Sequence, residues 1–105
     1  MTDVFDVAIV DGKGIIKVSQ NLMSELPAEL LRNAFEDLLE RGQKSVVIDL
    51  TQTISINSYG LGRILMLLNK AKEQSGSLAV RVAPGYVKEI IKLLFLDKVI
   101  PIEEI

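Results

Sequence analysis

Residues 45–50 run Ser-Val-Val-Ile-Asp-Leu, and from Ser58 onward apolar side chains recur at helical spacing. A short apolar strand leading into a long amphipathic helix is the unit from which parallel sheets are built. The unit recurs along the chain. A strand over residues 15–20 is followed by a helical pattern over 27–41, and a strand over 77–83 by one over about 85–95. Strands joined through helices pair in parallel, with right-handed crossovers. Upstream, residues 5–10 alternate apolar and polar, and Asp11-Gly12-Lys13-Gly14 is a turn, so the first two strands form a hairpin. Residues 102–105, beyond the break at Pro101, are a short end piece. The expected fold class is therefore α/β, a mixed sheet of four to five strands made of an N-terminal hairpin plus parallel strands.

Side-chain periodicity says where the helices lie. In the first helix Leu31, Ala34, Phe35 and Leu38 share one face, and Glu29, Arg32, Glu36 and Glu40 the other. Pro27 suits the first turn and Gly42 the position just past the end. The second helix spans 58 to about 74 with Gly76 as its stop, and its buried stripe is Leu61, Ile64, Leu65, Leu68 and Ala71. The third buries Val87, Ile90, Ile91 and Leu94. Along the strands, Phe5, Val7, Ile9, Ile16, Val18, Val46, Ile48, Leu50, Leu78, Val80 and Val82 point one way. Ala8, Lys17, Ser19, Val47, Asp49 and Arg81 point the other. Strands covered by helices on both sides would be apolar throughout. The alternation instead predicts helices mainly on one face and a largely solvated second face, where Lys17, Asp49 and Arg81 form a cross-strand charge row.

The composition excludes several functions. The chain has 105 residues, the length of one domain, with a net charge of −2 and no basic block, which argues against nucleic acid as the partner. It has no cysteine, hence no disulfide or thiolate chemistry, and no histidine, the commonest general base and metal ligand. No serine stands at a recognisable spacing from a base. The expectation is a non-enzymatic protein without metal or cofactor. Residues 1–6 are acidic and lack an apolar leader core, and the run 64–68 is too short to cross a bilayer, so a cytoplasmic address is expected.

Ser58 is the residue of most interest. A hydroxyl at a helix N-terminus is commonly a cap. The same place favours an anion, and a phosphate there would change the local charge by about −2. Gly12 and Gly14, or Gly60 and Gly62, are too short as patterns to be nucleotide loops. The flank of the second helix opposite its buried stripe brings together Tyr59, Gly62, Arg63, Met66 and Lys70, and aromatic residues, Met and Arg are enriched in interface cores.

With this order of elements, the strand Val46-Val47-Ile48-Asp49-Leu50 followed by Asn57-Ser58-Tyr59-Gly60-Leu61-Gly62 resembles the STAS domain family, anti-sigma-factor antagonist type. The tail, Tyr86-Val87-Lys88 and then Leu96 to Ile102, resembles the family's last helix and ending. The likeness covers nearly the whole chain and implies a single STAS domain over residues 1–105. It implies a bacterial regulator of transcription that works by partner switching. Such an antagonist binds an anti-sigma factor that is also a serine kinase of the GHKL type, releasing the sigma factor, and phosphorylation of the loop serine ends the complex. By position Ser58 is the phosphoacceptor, and Asn57, Tyr59, Gly60, Gly62, Arg63, Met66 and Lys70 are the partner-binding residues. A weak homodimer is compatible with the resemblance; nucleic acid and membrane are not implied. The chain departs from the family pattern at Asn57, where Asp is usual, at Tyr59, where Ser or Thr is usual, and over residues 19–25, which lack the usual Gly and Asp. These departures keep open an alternative: a STAS scaffold or subunit of a signalling or transport assembly that is not phosphorylated.

Overall fold

The computed structural model describes residues 5–19, 21 and 25–105. Residues 1–4 and the expected end of the second strand at Gln20 lie outside the described residues, as does most of the 19–25 segment. The elements are β1 (Phe5–Val10), β2 (Lys13–Val18), α1 (Glu25–Glu40), β3 (Ser45–Asp49), α2 (Ser58–Glu73), β4 (Ser77–Val82), α3 (Tyr86–Leu93), a 3-10 turn (Leu96–Lys98) and β5 (Ile102–Glu104). They form one five-stranded sheet in the order β1-β2-β3-β4-β5. The β1–β2 pair is antiparallel and every other pair is parallel. The mixed sheet expected from the sequence is thus the sheet that forms, and the end piece is its fifth strand.

The hairpin closes tightly. Val10 pairs with Lys13 across Asp11 and Gly12, whose φ angles are 52° and 78°. Two consecutive left-handed residues are what a type I′ turn needs, and its twist matches that of the flanking strands.

One face of the sheet carries the core. Ile16, Ile48, Val80 and Ile102 lie in register across four strands. Leu31, Phe35 and Leu38 from α1, and Ile64, Leu67, Leu68 and Ala71 from α2, join this face in a single cluster with Val87, Ile91 and Ile100. Gly14 sits beneath Leu38, where any Cβ would press on the leucine methyls.

Several details differ from the sequence reading. Leu67 is fully inside and Leu65 only half-buried, because α2 packs on α1 as well as on the sheet and the covered flank of its stripe shifts. Leu94 is exposed rather than buried: α3 ends at Leu93, and Phe95, with φ 58°, turns the chain into the 3-10 segment. Val7 and Ile9 share the core face but remain exposed, since β1 is an edge strand with no neighbouring strand on its outer side among the described residues. The second face is less solvated than expected. Val47 and Asp49 are buried there without a helix above them, shielded by their register neighbours Ile15, Ala79, Lys17 and Arg81. The charge row is also longer than expected, running Asp6, Lys17, Asp49, Arg81, Glu103 in register with alternating sign.

Both long helices end in the same way. After α1, Gly42 (φ 84°) donates to Leu39 O at 2.9 Å and Gln43 donates to Leu38 O at 3.0 Å, a Schellman motif. After α2, the left-handed position belongs to Ser75 (φ 59°), not Gly76. Gly76 is needed for a different reason, because a Cβ there would collide with the Lys44 carbonyl oxygen. Opposite outcomes are therefore expected in urea unfolding. Ser75→Gly should raise stability by about 1 kcal/mol by relieving the left-handed penalty, and Gly76→Ala should lower it by about 1–3 kcal/mol through overpacking.

Candidate partner-binding site at the carboxyl edge of the sheet

Parallel strands β2, β3 and β4 each run into a helix, so the first turns of α1, α2 and α3 gather at one edge of the sheet. The loop between β3 and α2 lies there, and hydrogen bonds fix it at Thr51, Thr53 and Ser55. The buried Asp49 carboxylate accepts from Thr51 N at 2.9 Å and from Thr51 Oγ1 at 2.7 Å, turning the chain out of the strand. Arg81 Nη1 lies 3.8 Å from the other carboxylate oxygen. Thr53, also buried, donates its hydroxyl to the Val18 carbonyl at 3.0 Å, tying the loop to the end of β2. Ser55 N donates to Asn21 Oδ1 at 3.0 Å. Ile56 then drops into the core.

Between the buried Thr53 and Ile56, Ile54 is 80% exposed. In the sequence it is hidden within a polar link. Strand-like alternation would have placed Ile54 and Ile56 on one side; the anchors on either side of Ile54 force it outward. Leu26 in the first turn of α1, Tyr59 in that of α2 and Tyr86 at the start of α3 are also exposed. Four large apolar side chains thus decorate one edge, where single exposed residues would need no explanation.

The helix cap is Asn57, not Ser58. Asn57 has extended backbone (φ −123°, ψ −172°), and its side-chain oxygen accepts from Tyr59 N at 3.0 Å and Gly60 N at 3.3 Å. Ser58 is the first residue of α2 and is exposed. Asn and Ser cap helices about equally well, so the sequence alone could not choose between neighbours.

The other candidate residues divide. Tyr59 and Met66, the latter 60% exposed, face outward. Gly62 is half-buried, with open space where a Cβ would stand, and Gly60 is buried. Arg63 and Lys70 turn toward α1: Arg63 Nη2 is 3.7 Å from Glu29 Oε1, and Lys70 Nζ is 2.7 Å from Glu36 Oε2. The hydrogen bond from Lys70 holds the Glu36 carboxyl below its ordinary pKa, with the charges of Lys70 and Arg32 helping. Among the described residues, no group of three His, Cys, Asp or Glu is placed to hold a metal, and no helix is long and apolar enough to cross a membrane.

The fold agrees with known proteins. The profile of the family described as MlaB, STAS domain, matches residues 5–102. The chain belongs to the STAS domain family. A Thermotoga maritima protein, by name a candidate anti-sigma factor antagonist, is 26% identical over 98 residues, which cover 93% of this chain and 87% of that protein. Among solved structures, an anti-sigma factor antagonist from Mycobacterium paratuberculosis superposes with a TM-score of 0.78 at 24% identity, covering 94% of this chain and 83% of that one. The anti-sigma factor antagonist SpoIIAA in its unphosphorylated form gives 0.66 at 13% identity, covering 96% and 86%. At such identities the superpositions speak for the STAS fold, which the five-stranded sheet and its helices share.

The division of labour at the start of α2 has a stability signature. Asn57→Ala should cost about 1 kcal/mol, the usual loss of an N-cap, whereas Ser58→Ala should change stability by less than about 0.5 kcal/mol, as for an ordinary surface site. Chemical denaturation of the two variants measures both.

Proposed function

We propose that this STAS protein is an anti-sigma-factor antagonist, binding its anti-sigma factor through the carboxyl edge of the sheet and switched by phosphorylation of Ser58. In this reading the partner is a serine kinase of the GHKL type. Its contact surface is the loop around Asn57 and Ser58 with Tyr59, Gly62 and Met66, and Ile54 is added to it. Gly60 serves by letting the first turn of α2 pack closely. Arg63 and Lys70 serve by holding α2 against α1.

The observation that carries the proposal is the exposed, non-capping position of Ser58. Asn57 satisfies the orphan N–H groups of Tyr59 and Gly60, so the serine hydroxyl can be modified without loss of the cap. Transfer of the γ-phosphoryl group of ATP to Ser58 Oγ releases ADP and the hydroxyl proton. The helix N-terminus tolerates the resulting dianion, so the fold survives. The surface does not stay the same: an apolar contact patch acquires about two negative charges, which a partner must desolvate to bind. Regulation thus falls on affinity and spares stability. The alternative, a scaffold that is never phosphorylated, draws on Asn57 and Tyr59. A ring beside the acceptor hinders the in-line approach on which phosphoryl transfer depends.

Incubation with the partner kinase and ATP should add one phosphate, mapped by mass spectrometry to Ser58 and absent from Ser58→Ala. Ile54→Asp and Met66→Asp should each weaken the complex at least tenfold while leaving the unfolding midpoint nearly unchanged. A stable complex with the kinase in which ATP adds no phosphate to Ser58 would favour the scaffold. Retained affinity in both aspartate variants would remove this surface from the account.

A further inference from the structure

The two edges of the sheet are built differently. The edge at β5 is three residues long and carries Glu103 and Glu104, the short, charged form that resists pairing with other chains. The edge at β1 has six residues, Phe-Asp-Val-Ala-Ile-Val, with no proline or lysine. Val7, Ile9 and Val10 are 40, 47 and 51% exposed. Val7 and Ile9 lie on the helix side of the sheet and Val10 on the other, beside Asp6 and Ala8, so each face of this strand exposes apolar side chains.

The hairpin geometry fixes which backbone groups are available. In a two-residue hairpin the residues flanking the turn form a hydrogen-bonded pair, and bonded and non-bonded pairs then alternate. Val10, Ala8 and Asp6 therefore direct their N–H and C=O groups toward Lys13, Ile15 and Lys17. Phe5, Val7 and Ile9 direct theirs outward, along an edge that no strand covers among the described residues.

We propose that a second copy of the chain occupies this edge, β1 pairing antiparallel with β1 of its partner about a two-fold axis at Ala8. The register puts Val7 opposite Ile9 of the partner and Ile9 opposite Val7. These are hydrogen-bonded pairs of β-branched side chains, a favourable cross-strand combination. Ala8 faces Ala8, a non-bonded pair. Asp6 faces Val10, whose own neighbour across the hairpin is Lys13. The acid of one copy thus approaches the base of the other, twice by symmetry. Neither Asp6 nor Lys13 has an ion-pair partner among the described residues. Asp6 already lies opposite Lys17 of its own copy; pairing through Val7 instead sets Asp6 against Ala8 and brings it to no base of the partner. The dimer would join two five-stranded sheets into one and present two copies of the Ser58 loop, which favours bivalent partners through effective concentration.

The absence of native cysteine makes the register directly testable. Facing Cα atoms of a non-bonded antiparallel pair are about 4.5 Å apart, within disulfide reach. Ala8→Cys should therefore form a disulfide-linked dimer under mild oxidation. Val10→Cys should not, since the two copies of residue 10 would be displaced by about 13 Å along the strand. In sedimentation equilibrium the native chain should show a concentration-dependent dimer. Ile9→Pro, which removes only an outward N–H, should lose it while keeping its far-UV circular dichroism. A native chain that stays monomeric, or equal crosslinking of the two cysteine variants, would overturn the proposal. The cysteine comparison decides the matter even if the proline variant misfolds.

Discussion

The hydroxyl of Thr53, buried and bonded to the Val18 carbonyl, is the contact on which the functional edge depends. β3 delivers the chain to the edge, and Asp49 turns it. Thr53 then stops the loop from swinging free. With Thr53 and Ile56 both inside, the residue between the anchors that can point outward does so, and Asn57 arrives in the extended conformation an N-cap needs. A loop held this way presents Ser58 in a defined position, so the proposed binding would cost little ordering entropy.

Separating the cap from the acceptor suits a chemical switch. Were one side chain both cap and phosphoacceptor, modification would change helix stability and affinity together. Here Asn57 keeps the helix start intact, and in the proposed switch the phosphate would act where charge matters most, beside exposed apolar side chains. Arg63 and Lys70 act behind that surface. Their ion pairs with Glu29 and Glu36 fix α2 on α1 and so fix the direction in which Tyr59 and Met66 project.

Much of the architecture is legible in the sequence because local pattern and tertiary role coincide. The apolar run at β3, the Asp-Gly turn of the hairpin and the helical stripe of α1 each have one reasonable reading, and the order of strands and helices fixes parallel pairing. Features that depend on neighbours distant in sequence are not legible. Leu67 rather than Leu65 is innermost because α1 lies on that flank of α2. Val47 and Asp49 are buried by adjacent strands where no helix covers them. Gly76 is required by the Lys44 carbonyl, a contact between distant parts of the chain that no local turn rule reports. At the site, two equally good caps stand side by side, and only the backbone conformation separates them. Ile54 is hidden within a loop whose other residues are mostly polar.

The central claim is that charge on Ser58 controls affinity while the fold stays unchanged. Calorimetric titration of the anti-sigma factor with the unmodified and the Ser58-phosphorylated protein tests it most directly, with the thermal unfolding of both forms recorded alongside. The account predicts a complex with the unmodified protein, an affinity at least tenfold lower for the phosphorylated one, and closely similar unfolding midpoints. Equal affinities, or a phosphorylated protein that has lost its fold, would contradict it.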